Sequence, residues 1–167
     1  MADIQYNFIN LPSRIEFENG HVISYLYDAD GIKLRTTHII GSDTTVTDYC
    51  GNVIYENGIP VKLLTEAGYV TLADSKYHYF VQDHLGNNRV VVDQSGNVEE
   101  VNHYYPFGGL LSSSVSNAVQ PYKYNGKELD RKNGLDWYDY GACMYDAALG
   151  RWHAVDPMSE KYYSWSP

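Results

Sequence analysis

The stretch HVISYLYDADGIKLRTTHII, residues 21–40, sets two runs rich in Val, Ile, Thr and Tyr on either side of Asp30-Gly31. β-Branched and aromatic side chains suit a pleated, half-buried surface, and Asp-Gly offers the positive φ that a tight turn needs. Residues 21–27 and 33–40 are therefore expected to form one antiparallel hairpin. The same punctuation returns at Asn19-Gly20, Asn57-Gly58, Ser95-Gly96-Asn97, Asn125-Gly126 and Asn133-Gly134. Further strands are expected over residues 44–49, 52–55, 69–72, 77–82, 89–93 and 98–105. Phe17-Glu18-Asn19-Gly20 recurs as Tyr55-Glu56-Asn57-Gly58, and a tyrosine followed by polar turn residues and glycine appears as Tyr27-Asp28-Ala29-Asp30-Gly31. A turn motif recurring on strand pairs predicts a hairpin array whose units bury a face only by stacking on neighbours. Helical periodicity over eleven or more residues is hard to find, and strong helix formers do not cluster upstream of residue 127. Asp156-Pro157 followed by Met158-Ser159-Glu160-Lys161 has the cap, the N1 proline and the acidic first turn of one short helix. The expected fold class is thus all-β, a hairpin-rich antiparallel repeat array with a short C-terminal helix.

The chain has 167 residues, about one ordinary domain. Lys and Arg number 12 against 21 Asp and Glu, a net charge of −9, which leaves no basic field for a phosphate backbone and argues against nucleic acid as a partner. Tyrosine, at 17 residues against 4 Phe, supplies much of the apolar surface with rings that carry a polar tip. No run approaches the roughly 18 apolar residues that span a bilayer. Met1-Ala2-Asp3-Ile4 lacks the basic and apolar regions of a secretion signal, so none is expected in this stretch. Residues 111–118, LSSSVSNA, mark a composition shift. They divide the chain into a hairpin region over 1–110, a serine-rich loop over 111–121 and a C-terminal segment over 122–167. Strand edges exposed at either end of such an array invite self-association.

Candidates for chemistry are few. Asp139, Asp146 and Asp156 are the carboxylates to consider, because aspartate-catalysed peptide hydrolysis needs two carboxyls sharing a proton. The structural alternative makes Asp139 and Asp146 turn caps or partners of Arg151, and Asp156 the cap of the final helix. Trp152 is expected in the core, with Arg151 satisfying buried carbonyls or a carboxylate. Cys143 with His153 lacks the glycine turn of an oxyanion site, and Cys50 and Cys143 read as two separate thiols. The six histidines show no zinc-type spacing, so neither a metal nor a cofactor is expected. Tyr77, Tyr79, Tyr104, Tyr105, Tyr122, Tyr124, Tyr138 and Tyr140 could form platforms for sugar rings, but at strand spacing they fit a half-buried sheet face better.

The run YKYNGKELDRKNGLDWYDYGACMYDAALGRWHAVDPMSEKYYSWSP (residues 122–167), preceded by DHLGNNRVVVDQSGNVEEVNHYYPFG (83–108), resembles the core domain associated with Rhs repeats. YLYDADGIKLRTT (25–37) resembles one of the YD repeats of the same family, with a flavour similar to Rhs-family proteins of Bacteroides-like bacteria. The resemblance rests on Gly141 and on the block Leu149-Gly150-Arg151-Trp152 with Asp156-Pro157. It implies a secreted or cell-surface polymorphic-toxin scaffold in which hairpins spiral into a hollow shell. The core domain plugs one end, and a variable C-terminal effector is held inside. The partners implied are the rest of the parent shell and that effector, and this chain corresponds to the last repeats and the start of the plug. Many relatives also cleave themselves as aspartyl autoproteases, a role that would fall to Asp156 with support from Asp146, Arg151 and Asp139. Two departures bear on that role. Cys143 stands where the family usually has Arg, and Asp156-Pro157 runs on to Met158-Ser159 rather than to a glycine. The second Asp-Pro motif of cleaving relatives would lie downstream, leaving the protease site half present here.

Overall fold

The computed structural model describes residues 3–112, 114, 120–155 and 161. Eleven strands run in chain order: β1 (Asp3–Tyr6), β2 (Pro12–Glu16), β3 (Val22–Tyr27), β4 (Lys33–Ile40), β5 (Asp43–Cys50), β6 (Val53–Glu56), β7 (Ile59–Thr65), β8 (Gly68–Thr71), β9 (Lys76–Gln82), β10 (Asn88–Asp93) and β11 (Val98–Val101). Each pairs antiparallel with the next, giving one unbroken meander. A second sheet holds β12 (Glu128–Asp130), β13 (Trp137–Asp139), β14 (Met144–Asp146) and β15 (Arg151–Trp152), again in sequential order. The all-β hairpin array expected from the sequence is what the chain adopts. The helix expected from Asp156-Pro157 lies outside the described residues.

One local device recurs at seven of the turns. At residues 7–11, 17–21, 28–32, 83–87, 93–97, 105–109 and 123–127 the first residue's N–H donates to the carbonyl of the fifth, and the fourth N–H donates back to the first carbonyl. The fourth residue must then lie at positive φ, and it is Asn10 (60°) in the first loop and glycine in the other six, as in Gly96 (86°). Where the first residue is Asn or Asp, its carboxylate or amide oxygen also caps the loop. Asp93 Oδ1, for example, accepts from Ser95 N and Asn97 N, both at 2.8 Å. The Asp of the tyrosine–aspartate motif is therefore a turn cap, and the preceding tyrosine is the last residue of its strand.

The second sheet lies across the first. Trp137 and Met144 pack with Leu135 against Ile15, Ile23 and Tyr25 of β2 and β3 to form the apolar core. Alternation explains which residues face it: Ile23 and Tyr25 are buried, whereas Leu26 points outward and is 54% exposed. Two expectations need correction. Strand β11 ends at Val101 rather than at residue 105, because Asn102 turns its amide onto the Asn88 carbonyl (3.0 Å) and Tyr105 opens the next turn. Trp152 is not a core residue. It sits on β15 and is 52% exposed; among the described residues the buried tryptophan is Trp137, 1% exposed.

Candidate functional site

The seam between the two sheets is where the chain concentrates buried charge. Lys33 of β4 reaches Glu128 Oε2 at 2.6 Å and Asp139 Oδ2 at 2.7 Å, and Tyr49 of β5 donates its hydroxyl to Glu128 Oε1 at 2.7 Å. Burial opposes the Lys33 ammonium, but the attraction of Glu128, Tyr49 and Asp139 outweighs it and holds its pKa well above the ordinary lysine value.

A second cluster lies beside it. His38 Nε2 sits 2.9 and 3.1 Å from the two oxygens of Asp130, and Tyr25 donates to Asp130 Oδ2 at 3.0 Å. Burial pushes the Asp130 carboxyl up, but the hydrogen bond and charge of His38, with Lys132 N–H and Tyr25, bring it below the usual carboxylate range. Burial and then the Asp130 charge push the Tyr25 phenol well above its ordinary value.

The third cluster centres on Glu100 of β11, 1% exposed. Its Oε1 takes Lys123 Nζ and Asn102 Nδ2 at 2.5 Å and Gln120 Nε2 at 2.9 Å. Here burial wins at Lys123, whose pKa falls below the ordinary lysine value despite Glu100. Asn88, fully buried, ties the same strand region to the segment entering the second sheet by donating to the Tyr122 carbonyl at 2.8 Å. His21 Nδ1 meets Asn133 Oδ1 at 2.6 Å, and the Tyr6 hydroxyl reaches the His153 carbonyl at 3.4 Å. Such contacts cost desolvation and return it only in one geometry, so they specify how the second sheet sits.

Of the aspartates singled out from sequence, one lies in these clusters. Asp139 belongs to the Lys33 cluster and accepts from Gly141 N at 2.7 Å. Asp146 turns into its own loop, accepting from Ala148 N (2.8 Å) and Leu149 N (3.0 Å), with His153 Nε2 at 3.8 Å from its second oxygen. Both carboxylates are thus occupied by donors. Arg151 is exposed opposite Asp146 in the strand register, not buried among carbonyls. Its place on the outermost strand gives its guanidinium water instead. Leu149 is 67% exposed, and Gly150, at φ 65°, lies so near the Phe107 ring that an added Cβ would meet it at 3.5 Å. Asp156 and Pro157 lie outside the described residues. The two cysteines form no disulfide with each other: Cys143 is buried, with its Sγ 4.0 Å from the Ala154 carbonyl, and Cys50 is exposed. Among the described residues no group of three or more His, Cys, Asp and Glu is placed to hold a metal ion, and no helix is long and apolar enough to cross a membrane.

The tyrosines divide. Tyr138, Tyr104 and Tyr140 donate to Gly108 O (2.8 Å), Asn88 O (2.8 Å) and Asn125 Oδ1 (2.6 Å), whereas Tyr77, Tyr79 and Tyr105 stand exposed. Sequence reading missed Lys33, His38, Tyr49, Glu100, Lys123, Glu128 and Asp130. Their one visible sign is a polar residue at an inward strand position, as at Thr36 and His38 between outward Arg35 and Thr37.

A meander of capped hairpins, closed on one face by a second sheet held through buried ion pairs, has the form of a structural wall. A family profile described as the teneurin YD-shell matches residues 62–165, from β7 through the second sheet, and the chain belongs to that family. It is a structural segment of such a shell. Salivary gland surface protein 1 of Aedes aegypti is 30% identical over 177 residues, covering 91% of this chain and 5% of that protein. Toxin subunit YenC1 of Yersinia entomophaga is 30% identical over 128 residues, 66% of this chain and 13% of that one. Among solved structures, TcdB2-TccC3-TEV superposes with a TM-score of 0.76 at 18% identity over 93% of this chain and 9% of that one. The Photorhabdus luminescens Tc holotoxin pore does so at 0.75 and 19%, with the same coverage. The chain spans between 5 and 13% of the length of these relatives.

Proposed function

We propose that this chain is a late stretch of wall together with the start of the plug in a longer shell, and that the shell encloses an effector polypeptide carried C-terminal to it. The observation that supports this most is the seam, where two buried polar clusters tie β12 and β13 to the wall and a third ties down the segment that leads into them. A wall that only curved would not need its last segment folded back and fastened. The relatives named toxin subunits and the fold shared with a Tc holotoxin pore favour a toxin cargo, an exported or cell-surface location, and partners in the rest of the shell and other toxin components. In this reading residues 1–110 are wall, 122–167 open the plug and 111–121 join them, and the mechanism is steric sequestration.

The test uses the natural full-length protein. Its C-terminal region should resist added protease, and should become digestible when Lys33→Met and Glu100→Gln loosen the seam. Digestion as fast in the intact protein as in the variant would overturn enclosure. The intact mass of the same protein should match that of its Asp156→Asn variant apart from the substitution. A product truncated downstream of Asp156 in the wild type alone would replace this reading with an aspartyl autoprotease.

A further inference from the structure

Lys33, Glu128 and Asp139 differ from the other ion pairs of the seam in that one amine touches two carboxyl groups, Glu128 Oε2 at 2.6 Å and Asp139 Oδ2 at 2.7 Å. The three side chains are 10, 19 and 14% exposed. The second oxygen of each carboxyl group is held by another donor. Asp139 Oδ1 accepts from Gly141 N at 2.7 Å, and Glu128 Oε1 accepts from the Tyr49 hydroxyl at 2.7 Å. Aromatic rings surround the trio. Lys33 Nζ lies 4.6 Å from the centroid of the Tyr49 ring. The phenols of Tyr27 and Tyr122 are pushed above their ordinary value, first by burial and then by Asp139 and Glu128 respectively. An amine, an acid and a second carboxylate in mutual contact, with little water around them, are the groups that amide formation requires.

We propose that Lys33 and Asp139 condense into an intramolecular amide, with Glu128 as the proton carrier, and that this bond fastens the second sheet covalently to the wall. The ion pair is the resting form, because the two carboxylates hold the amine protonated. Moving one proton from Nζ to Asp139 Oδ2 keeps the net charge of the trio and cuts its buried charges from three to one, which burial favours. The neutral amine then attacks Asp139 Cγ, one bond beyond the oxygen it already touches. Glu128 Oε2 takes a proton from the attacking nitrogen, and the charge that develops on Oδ1 falls on the Gly141 N–H. The bond from Cγ to Oδ2 breaks as Glu128 returns its proton, so one water leaves, one amide remains and Glu128 is again a carboxylate. Nothing is oxidised and no co-reactant is consumed. Contact within the fold replaces an effective concentration of about 10⁵–10⁸ M, which drives a condensation that separate molecules in water do not complete. The neutral form is scarce, so the bond forms slowly after the seam has closed.

Mass spectrometry of the natural full-length protein, kept folded for days and then denatured and digested with trypsin, tests this. A condensed Lys33 is no longer a cleavage site, so residues 15–35 should appear joined to residues 133–151 as one branched peptide, lighter by one water than the two together. Glu128→Gln keeps both reacting groups and should slow accumulation of that peptide about a hundredfold. Lys33→Arg keeps the cation but not the amine and should give none of it. Linear peptides 15–33 and 133–151 alone in the wild type mean that the contact stays an ion pair, and overturn the proposal. So does a branch to residues 128–131, which would make Glu128 the acceptor, or a branch that forms as fast in Glu128→Gln. The bond needs only the closed seam, whatever the shell encloses. Its absence would therefore leave protease protection of the C-terminal region intact, and loss of that protection in the wild type would leave the branched peptide.

Discussion

Lys33 and Glu128, 95 positions apart in the chain, meet at 2.6 Å with little of either side chain exposed, so the pair joins the first half of the wall to the first strand of the second sheet. Lys33 also holds Asp139 of the next strand, which makes one ammonium the partner of two carboxylates on adjacent strands. Both carboxylates depend on that one ammonium.

Removing the ammonium alone should therefore be severe. Lys33→Met leaves Glu128 and Asp139 facing each other without a cation and is expected to cost about 3–5 kcal/mol. Lys33→Met combined with Glu128→Gln should recover part of that loss, because it removes one of the two orphaned charges and with it their mutual repulsion. Urea unfolding of the two variants beside wild type measures both. A loss under about 1 kcal/mol for the single variant would show that the pair is solvated in solution.

Stability should also depend on pH through His153, whose ring lies against Trp137 with centroids 3.5 Å apart. Burial lowers its pKa below the ordinary histidine value, with Asp146 opposing. The folded state thus binds fewer protons than the unfolded one in this range. The contribution is fully present above the unfolded histidine pKa, about 6.5, and is lost as pH falls through and below it. Asp130, whose pKa is also lowered, adds a second loss at more acidic pH, beginning in the ordinary carboxylate range. Urea midpoints at about pH 7.5 and about pH 5 should show a drop that narrows in His153→Phe, which keeps the stacking and cannot take a proton. An equal drop in that variant would assign the effect elsewhere.

Strands and turns were legible because their cause is local. Asp30-Gly31 and Ser95-Gly96-Asn97 carry the conformation of their loops in their own side chains and φ preferences, and β4 spans the very residues, Lys33–Ile40, that the residue types marked. Strand β7 escaped notice because Pro60 interrupts its start, and β1 and β2 because no Asx-Gly pair separates them; Asn10 takes the positive φ instead. The seam was illegible for a different reason. Nothing near Lys33 says that its partners stand in β12 and β13, and a lysine flanked by Ile32 and Leu34 reads as a solvated strand residue. Residue type misleads in one respect: a tryptophan at 152 is expected in the core, whereas the burial belongs to Trp137.

Two glycines at the same turn position separate strain from collision. Gly96 has φ 86° with nothing within 4 Å of an added Cβ, so Gly96→Ala should cost only the strain of the left-handed conformation, about 1–2 kcal/mol. Gly108 has φ 88°, but its added Cβ would lie 2.6 Å from the ring of Tyr124, which is itself hydrogen-bonded to the Pro106 carbonyl. Gly108→Ala should add an overpacking cost of about 1–3 kcal/mol to the same strain. Thermal denaturation of both variants checks the order, and equal losses would mean that the Tyr124 ring moves aside freely.

The two tryptophans of the second sheet should respond in opposite measure. Trp137 is fully buried between β2, β3 and Met144, so Trp137→Ala removes the centre of the core and is expected to cost about 3–5 kcal/mol. Trp152 lies half in water, 4.9 Å from Tyr140 and 5.0 Å from Tyr145 between ring centroids, and those contacts are worth about 0.5–1.5 kcal/mol. Trp152→Ala should therefore unfold within about 1.5 kcal/mol of wild type. Its fluorescence difference spectrum should show the red-shifted emission of an exposed indole, and that of Trp137→Phe the blue-shifted emission of a buried one. Comparable destabilisation by the two alanine variants would mean that Trp152 is covered in solution, and would return it to the core that its residue type leads one to expect.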